Sequence, residues 1–133
     1  MRKVSKIKKS PKHILVIEDN ESLSKIIRLK LEKIGYHVDL CESAEEGLEI
    51  LKKCEPSLIW LDIYLPGMSG LQFLEKIRKN KKTKNIKVAV VSVSGSNKKI
   101  EFAQKFSILD YFVKSNYKID ELIEEISKII EIS

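Results

Sequence analysis

The stretch Leu58–Gly70 reads LIWLDIYLPGMSG. A short apolar run ends in a single acid, Asp62, and the chain then turns through Pro66, Gly67 and Gly70. A continuous apolar run bounded by turn residues predicts a strand covered on both faces. An acid at such a strand end is either ordinary turn chemistry, since turns favour Asp, or a reactive group held at the rim of a sheet. The sequence on either side has to choose.

Outward from this stretch, two periodicities alternate. HILVI (His13–Ile17), YHVDLC (Tyr36–Cys41), SLIWL (Ser57–Leu61), VAVVSV (Val88–Val93) and DYFV (Asp110–Val113) read as strands. Between them, apolar residues recur at helical spacing. Asn20–Gly35 carries Leu23, Ile26, Ile27, Leu31 and Ile34 on one stripe. Ser43–Cys54 opens with Ser43 and Glu46 in capping-box spacing. Ser69–Asn80 offers Leu71, Leu74 and Ile77, and Asn97–Phe106 is a weaker helix. Ile119–Ile130 places Ile119, Leu122, Ile123, Ile126 and Ile130 on one face. Five strands alternating with five helices predict an α/β chain, a doubly wound parallel sheet covered by helices on both faces. Such sheets carry their chemistry at the carboxyl ends of the strands. The lysine-rich Arg78–Lys87 joins a helix to the fourth strand, so it falls at the opposite end and receives no site role.

Composition narrows the classes. The 133 residues, 43% of them hydrophobic, fit one domain with a real core. No apolar run is long enough to span a bilayer, and the basic start lacks the apolar segment of a secretory signal. Cys41 and Cys54 form no CxxC pair and read as reduced fillers of a cytoplasmic protein. The net charge of +6 sits in a tail: Arg2, Lys3, Lys6, Lys8, Lys9 and Lys12 leave 19 cations against 19 acids in the remainder. Residues 1–11 are therefore expected to be a basic flexible tail and 12–131 a single domain. With no basic face on the domain itself, nucleic acid is not its expected partner.

The strand ends collect a particular set of side chains. Glu18 and Asp19 follow the first strand, Asp62 the third, Ser92 ends the fourth and Lys114 follows the fifth. The second strand, at the sheet edge in a 2-1-3-4-5 order, contributes nothing to the crevice. Singly these residues are ordinary: an acid pair after a strand is usually a helix cap, and a lone Lys is usually solvated. Together, three acids repel one another unless a cation offsets them. Oxygen ligands without His or Cys select a hard ion, Mg²⁺ or its analogue Mn²⁺. A carboxylate beside such a cation, with a hydroxyl and an ammonium for further oxygens, can accept a phosphoryl group. Asp62 is the expected nucleophile.

LVIEDN, LIWLDIYLPGMSGLQFLEKIR, VAVVSVS and DYFVKS together closely resemble the receiver domain of two-component response regulators, over about Lys12 to Ile130. The resemblance implies a flavodoxin-like, CheY-like fold and Mg²⁺ held by Asp19, Asp62 and the backbone carbonyl of Tyr64, with Glu18 acting through water. It implies that Asp62 is the phosphoacceptor, served by a sensor histidine kinase or phosphotransfer protein. Ser92 corresponds to the switching hydroxyl and Tyr111 to the switch aromatic. Beyond self-phosphotransfer and autodephosphorylation, no enzyme activity is implied. The chain ends with its fifth helix and so reads as a stand-alone regulator, with a downstream protein partner that the sequence does not name. A homodimer formed on phosphorylation is left open.

Three positions depart from the family pattern. Ser115 stands where the family has a proline, often in a cis bond; before a non-proline residue that bond costs about 3 kcal/mol, so trans is expected. Val93 replaces a small residue, and the linker from Lys114 to the last helix is about one residue longer. Val93 and Tyr64 would flank the path of the water that hydrolyses an acyl phosphate, so slow self-dephosphorylation is expected; the alternative is that Val93 only fills core. Three other readings differ in kind. An aspartyl-nucleophile phosphatase of the haloacid dehalogenase type needs an acid two residues beyond Asp62, where this chain has Tyr64. A phosphorylation-independent interaction module would not need Glu18, Asp19, Asp62, Ser92 and Lys114 together. A DNA-binding regulator would need an output domain, and only the basic tail speaks for it.

Overall fold

A computed structural model describes residues 12–132; the basic tail assigned to residues 1–11 lies outside them. In chain order the elements are β1 (His13–Ile17), α1 (Glu21–Lys33), β2 (His37–Cys41), α2 (Ala44–Leu51), β3 (Leu58–Leu61) and α3 (Gly70–Lys79). There follow β4 (Val88–Ser92), α4 (Asn97–Gln104), β5 (Asp110–Val113), a 3₁₀ turn (Lys114–Asn116) and α5 (Ile119–Ile132). All strand pairs are parallel and the order is 2-1-3-4-5. The topology expected from the alternating periods is the one observed.

Strand alternation splits the core in two. Ile14, Val16, Trp60 and Val91 face α1 and α5, where they meet Ile27, Leu31, Ile123 and Ile126. Leu15, Ile17, Ile59, Leu61 and Val90 face the other way onto Phe73, Leu74 and Ile77 of α3 and Ala103 of α4. Every residue of β3 and β4 is buried, as continuous apolar runs require. Cys41 and Cys54 are free thiols, and burial pushes Cys41 up to about 12, so it packs as a small apolar group. Among the described residues no helix is long and apolar enough to cross a membrane.

Several local readings shift. On α1 the buried positions are Ser24, Ile27 and Leu31, whereas Ile26 and Ile34 are exposed; the apolar stripe was wider than the surface the sheet can cover. In α3 Phe73 is fully buried and Leu71 only partly so, which moves the stripe by one side chain. Ser43 does cap α2 by accepting from the Glu46 N–H, but Glu46 returns its bond to the Glu42 N–H at 3.2 Å. The reciprocal capping box lies instead at Ser69 and Gln72 of α3. Lys114–Asn116 turns once in 3₁₀ form, and the described residues contain no cis peptide bond.

The basic connection after α3 has a structural part that its composition concealed. Arg78 donates through Nε to the Phe106 carbonyl at 2.6 Å and through Nη1 to the carbonyls of Lys84 (3.0 Å) and Ile86 (2.7 Å). One guanidinium thus ties the end of α3 to the approach to β4 and the turn before β5, the bidentate geometry that Lys lacks. Arg78→Lys is expected to destabilise the fold by about 2 kcal/mol, because the carbonyls lose charge-assisted partners. A urea titration checks this; an unchanged midpoint would assign those carbonyls to solvent.

Candidate functional site

The sheet itself sets the carboxylates. Ile17 stands beside Leu61 in the β1–β3 register. The ladder continues one residue further, with Glu18 N–H donating to the Cys41 carbonyl and Asp62 N–H to the Ile17 carbonyl, both at 3.0 Å. The side-chain oxygens of Glu18, Asp19 and Asp62 consequently lie within 4.8 Å of one another. Glu18 (1% exposed) and Asp62 (3%) are buried, and Asp19 is open to solvent. Lys114, the first residue after β5, reaches back to Glu18 Oε1 at 2.5 Å and to Asp62 Oδ2 at 3.2 Å.

Burial, and behind it the Asp62 charge, holds the Glu18 carboxyl above its ordinary range against the opposing bond from Lys114. For Lys114 burial works against the charge, but Glu18 and Asp62 outweigh it and the ammonium is held above its usual value. Among the described residues, Glu18 and Asp62 share the Lys114 ammonium and Asp19 stands beside them. Ser92 ends β4 with its Oγ wholly buried; it lies close enough to the Tyr111 hydroxyl to favour that phenol's ionised form but makes no well-formed hydrogen bond. That leaves a donor for an incoming oxygen.

The LPGMSG segment holds this edge in shape. Tyr64 N–H donates to Asp62 Oδ1 at 3.2 Å. Gly70 N–H bonds the Ile63 carbonyl at 2.9 Å, and a Cβ at Gly70 would lie 2.1 Å from the Asp62 carbonyl oxygen. Only glycine lets the start of α3 approach the Asp62 backbone this closely. Gly67 takes a positive φ of 73°, and next to it Met68 N–H donates to Glu45 at 3.0 Å. That bond lowers the Glu45 carboxyl.

A second group of contacts closes over the site from the β4–α4 connection. Lys99 donates to the Tyr64 hydroxyl and stands 4.0 Å from its ring centre, and that hydroxyl is 3.1 Å from Ser94 Oγ. The bond from Lys99, and then that from Ser94, lowers the Tyr64 phenol. Tyr111 donates to the Ser94 carbonyl at 3.0 Å, its phenol raised chiefly by burial. Val93 is 56% exposed, so it is not core filling. All the residues expected at the strand ends therefore meet at one edge, and Tyr111 borders it through Ser94. Lys99, Ser94 and Gly70 were missed: nothing distinguishes Lys99 from Lys98 beside it until the helix phase is known, and Gly70 reads as turn chemistry.

With no cation present, ionising Glu18 inside this cluster costs stability. Its raised folded value means that the penalty is absent below the ordinary carboxylate range. The penalty grows as pH rises through the folded value of Glu18. Asp62→Asn removes one repelling charge, so in chelator it should melt above wild type near neutral pH, with the gain shrinking in acid as Glu18 protonates. A thermal-melt series against pH measures this; a variant less stable near neutrality would contradict the repulsion.

Comparison with known proteins gives one consistent family. Residues 14–127 match the response regulator receiver domain. The response regulator ArlR of Staphylococcus saprophyticus is 34% identical over 85% of this chain and 50% of its own length. The chain spans about half, or less, of the length of several curated regulators it matches, but 90% of the sporulation initiation phosphotransferase F of Bacillus subtilis, to which it is 26% identical. Among solved structures, a CheY-like receiver domain protein from Methanospirillum hungatei superposes with a TM-score of 0.83 at 28% identity, over 92% of this chain and 95% of its own. The regulator TrrA of Thermotoga maritima, solved in complex with Mg²⁺–BeF, has a TM-score of 0.75 at 32% identity, over 89% and 98%.

Proposed function

The chain belongs to the response regulator receiver domain family of two-component systems, and we propose that it takes a phosphoryl group from a histidine kinase or phosphotransfer protein onto Asp62. The observation that carries this reading is the buried pair Glu18 and Asp62, within reach of Asp19, with one ammonium to offset three acids. Hard oxygen donors of this kind fit Mg²⁺ or Mn²⁺. Asp19, Asp62 and the Tyr64 carbonyl would hold the ion directly and Glu18 through water; the TrrA complex with Mg²⁺–BeF supports a divalent cation here. When bound, the ion supplies positive charge against the acids and the phosphoryl oxygens.

The chain's own groups then have distinct parts. An Asp62 carboxylate oxygen bonds to phosphorus as the bond from phosphorus to the donor imidazole nitrogen breaks. Lys114, already on Asp62, offsets charge on the transferred oxygens. Ser92 donates its free hydroxyl to one of them. That movement would be felt by Tyr111, whose hydroxyl is tied two residues further along at Ser94. The state of Ser92 and Tyr111 is then read by a protein partner at the surface of α4, β5 and α5.

Intact mass after incubation with acetyl phosphate and Mg²⁺ tests the acceptor. Wild type should gain one phosphate, and Asp62→Asn or added chelator should abolish the gain. A phosphorylated Asp62→Asn protein would overturn the assignment.

The lifetime of that phosphate should be long. Val93 is exposed beside Ser92 and the Tyr64 ring is held by Lys99 and Ser94; in this reading both border the mouth of the site. They obstruct an attacking water more than a docked donor. Val93→Ala should raise the decay rate of phosphorylated protein about threefold or more, since hydrolysis depends on near-attack geometry. Equal decay of variant and wild type at the same Mg²⁺ concentration would remove Val93 from this role.

A further inference from the structure

At the end of the sheet away from Asp62, two histidines and an aspartate come together on the edge strands. His13 and His37 are register partners at the starts of β1 and β2, and Asp39 pairs with Leu15. Strand alternation puts residues 13, 37 and 39 on one face. His13 Nε2 lies 2.7 Å from Asp39 Oδ2, His37 Nε2 lies 4.0 Å from the same oxygen, and the two rings are 4.9 Å apart. One ligand atom from each residue falls within 4.8 Å of the other two. We propose that His13, His37 and Asp39 bind a divalent transition-metal ion, with Zn²⁺ the ion that best suits the set.

Imidazole nitrogens with one carboxylate suit Zn²⁺, Ni²⁺ or Cu²⁺ and not Mg²⁺. Tetrahedral Zn²⁺ with bonds of about 2.0–2.1 Å separates its ligand atoms by roughly 3.4 Å. The observed spacings of 2.7 and 4.0 Å bracket that value, so small side-chain rotations complete the geometry. The backbones are already fixed. His37 N–H bonds the Lys12 carbonyl at 3.0 Å, and Ser57 N–H bonds the His13 carbonyl at 2.7 Å. His37 is 63% exposed and Asp39 41%, which leaves entry and a fourth position open to water. Cys54 lies near enough for Asp39, after burial, to hold its thiol up, but its Sγ bonds the Ile50 carbonyl at 3.5 Å. It is not a ligand. Along the strand the site begins about 10 Å from Glu18, at the level of Asp39, and extends to about 16 Å at His13, so it is separate from the phosphoacceptor edge.

The test is calorimetric titration of the full chain with Zn²⁺ in excess Mg²⁺, which occupies the acidic edge. One Zn²⁺ should bind per chain, with the same affinity in Asp19→Asn and Cys54→Ser. His37→Ala and Asp39→Asn should each weaken it at least tenfold. His37 is exposed, so the metal-free melting temperature of His37→Ala should stay at the wild-type value; Zn²⁺ should then raise the wild type by about 5 °C and the variant not at all. Unchanged affinity in His37→Ala, loss of binding in Asp19→Asn, or no binding would each overturn the proposal. With Co²⁺ no thiolate charge-transfer band should appear; its presence would overturn the ligand set.

Discussion

Three carboxylates at one sheet edge repel one another, and the rest of the molecule is arranged around that repulsion. Two like charges about 4 Å apart repel by roughly 4 kcal/mol at the effective dielectric of a protein surface. Glu18 and Asp62 are buried more deeply than most surface acids, and among the described residues Lys114 is the ammonium bonded to them. No local preference would place them so. The apolar strands that precede them do: β1 and β3 bury every residue from Ile14 to Ile17 and from Leu58 to Leu61. Burial of those side chains, at roughly 25 cal/mol per Å² of apolar surface, offsets what the acids cost.

The turn after Asp62 belongs to the same constraint. The Asp62 carboxylate points from a backbone that is fixed from two sides. The Ile17 carbonyl holds the Asp62 N–H, and Gly70 seats the start of α3 against the Asp62 carbonyl. A longer loop would leave the carboxylate mobile; a side chain at Gly70 would push helix and strand apart. The turn is therefore part of the site as much as the acids are.

These features differ in how far a linear sequence can express them. Topology was legible because each strand is a short apolar run and each helix an apolar stripe, and the parallel order follows from their alternation. The acids, Ser92 and Lys114 were legible because each sits within two residues of a strand end, so the fold alone brings them together. What stayed hidden depends on angles rather than positions. The exposure of Ile26 and Ile34 follows from how much of α1 the sheet reaches, and Phe73 takes its place from the tilt of α3. Arg78 reads as one of several cations, and only its bonds to carbonyls in the approach to β4 and in the turn before β5 reveal its part. Lys99 over Tyr64 likewise joins residues 35 apart, with no periodicity to announce it.

The unpaired hydroxyl of Ser92 gives the edge its asymmetry. A buried donor without an acceptor costs about 1–3 kcal/mol, and the sheet tolerates this at the end of β4 where a phosphoryl oxygen would arrive. Such an oxygen would relieve the cost and draw Ser92 toward Asp62. Ser92 and Ser94 share one short connection, and the Ser94 carbonyl is what the Tyr111 hydroxyl holds. Gly95 then lies against the Tyr111 ring, where even a Cβ would come within 2.7 Å of it. Under the proposed function, a displacement of Ser92 would change both the acceptor and the wall of the half-buried Tyr111 ring at once. A phosphoryl group on Asp62 and repacking of Tyr111 would then be joined through Ser92, whose hydroxyl neighbours the Tyr111 phenol, and through the Ser94 carbonyl that the phenol holds.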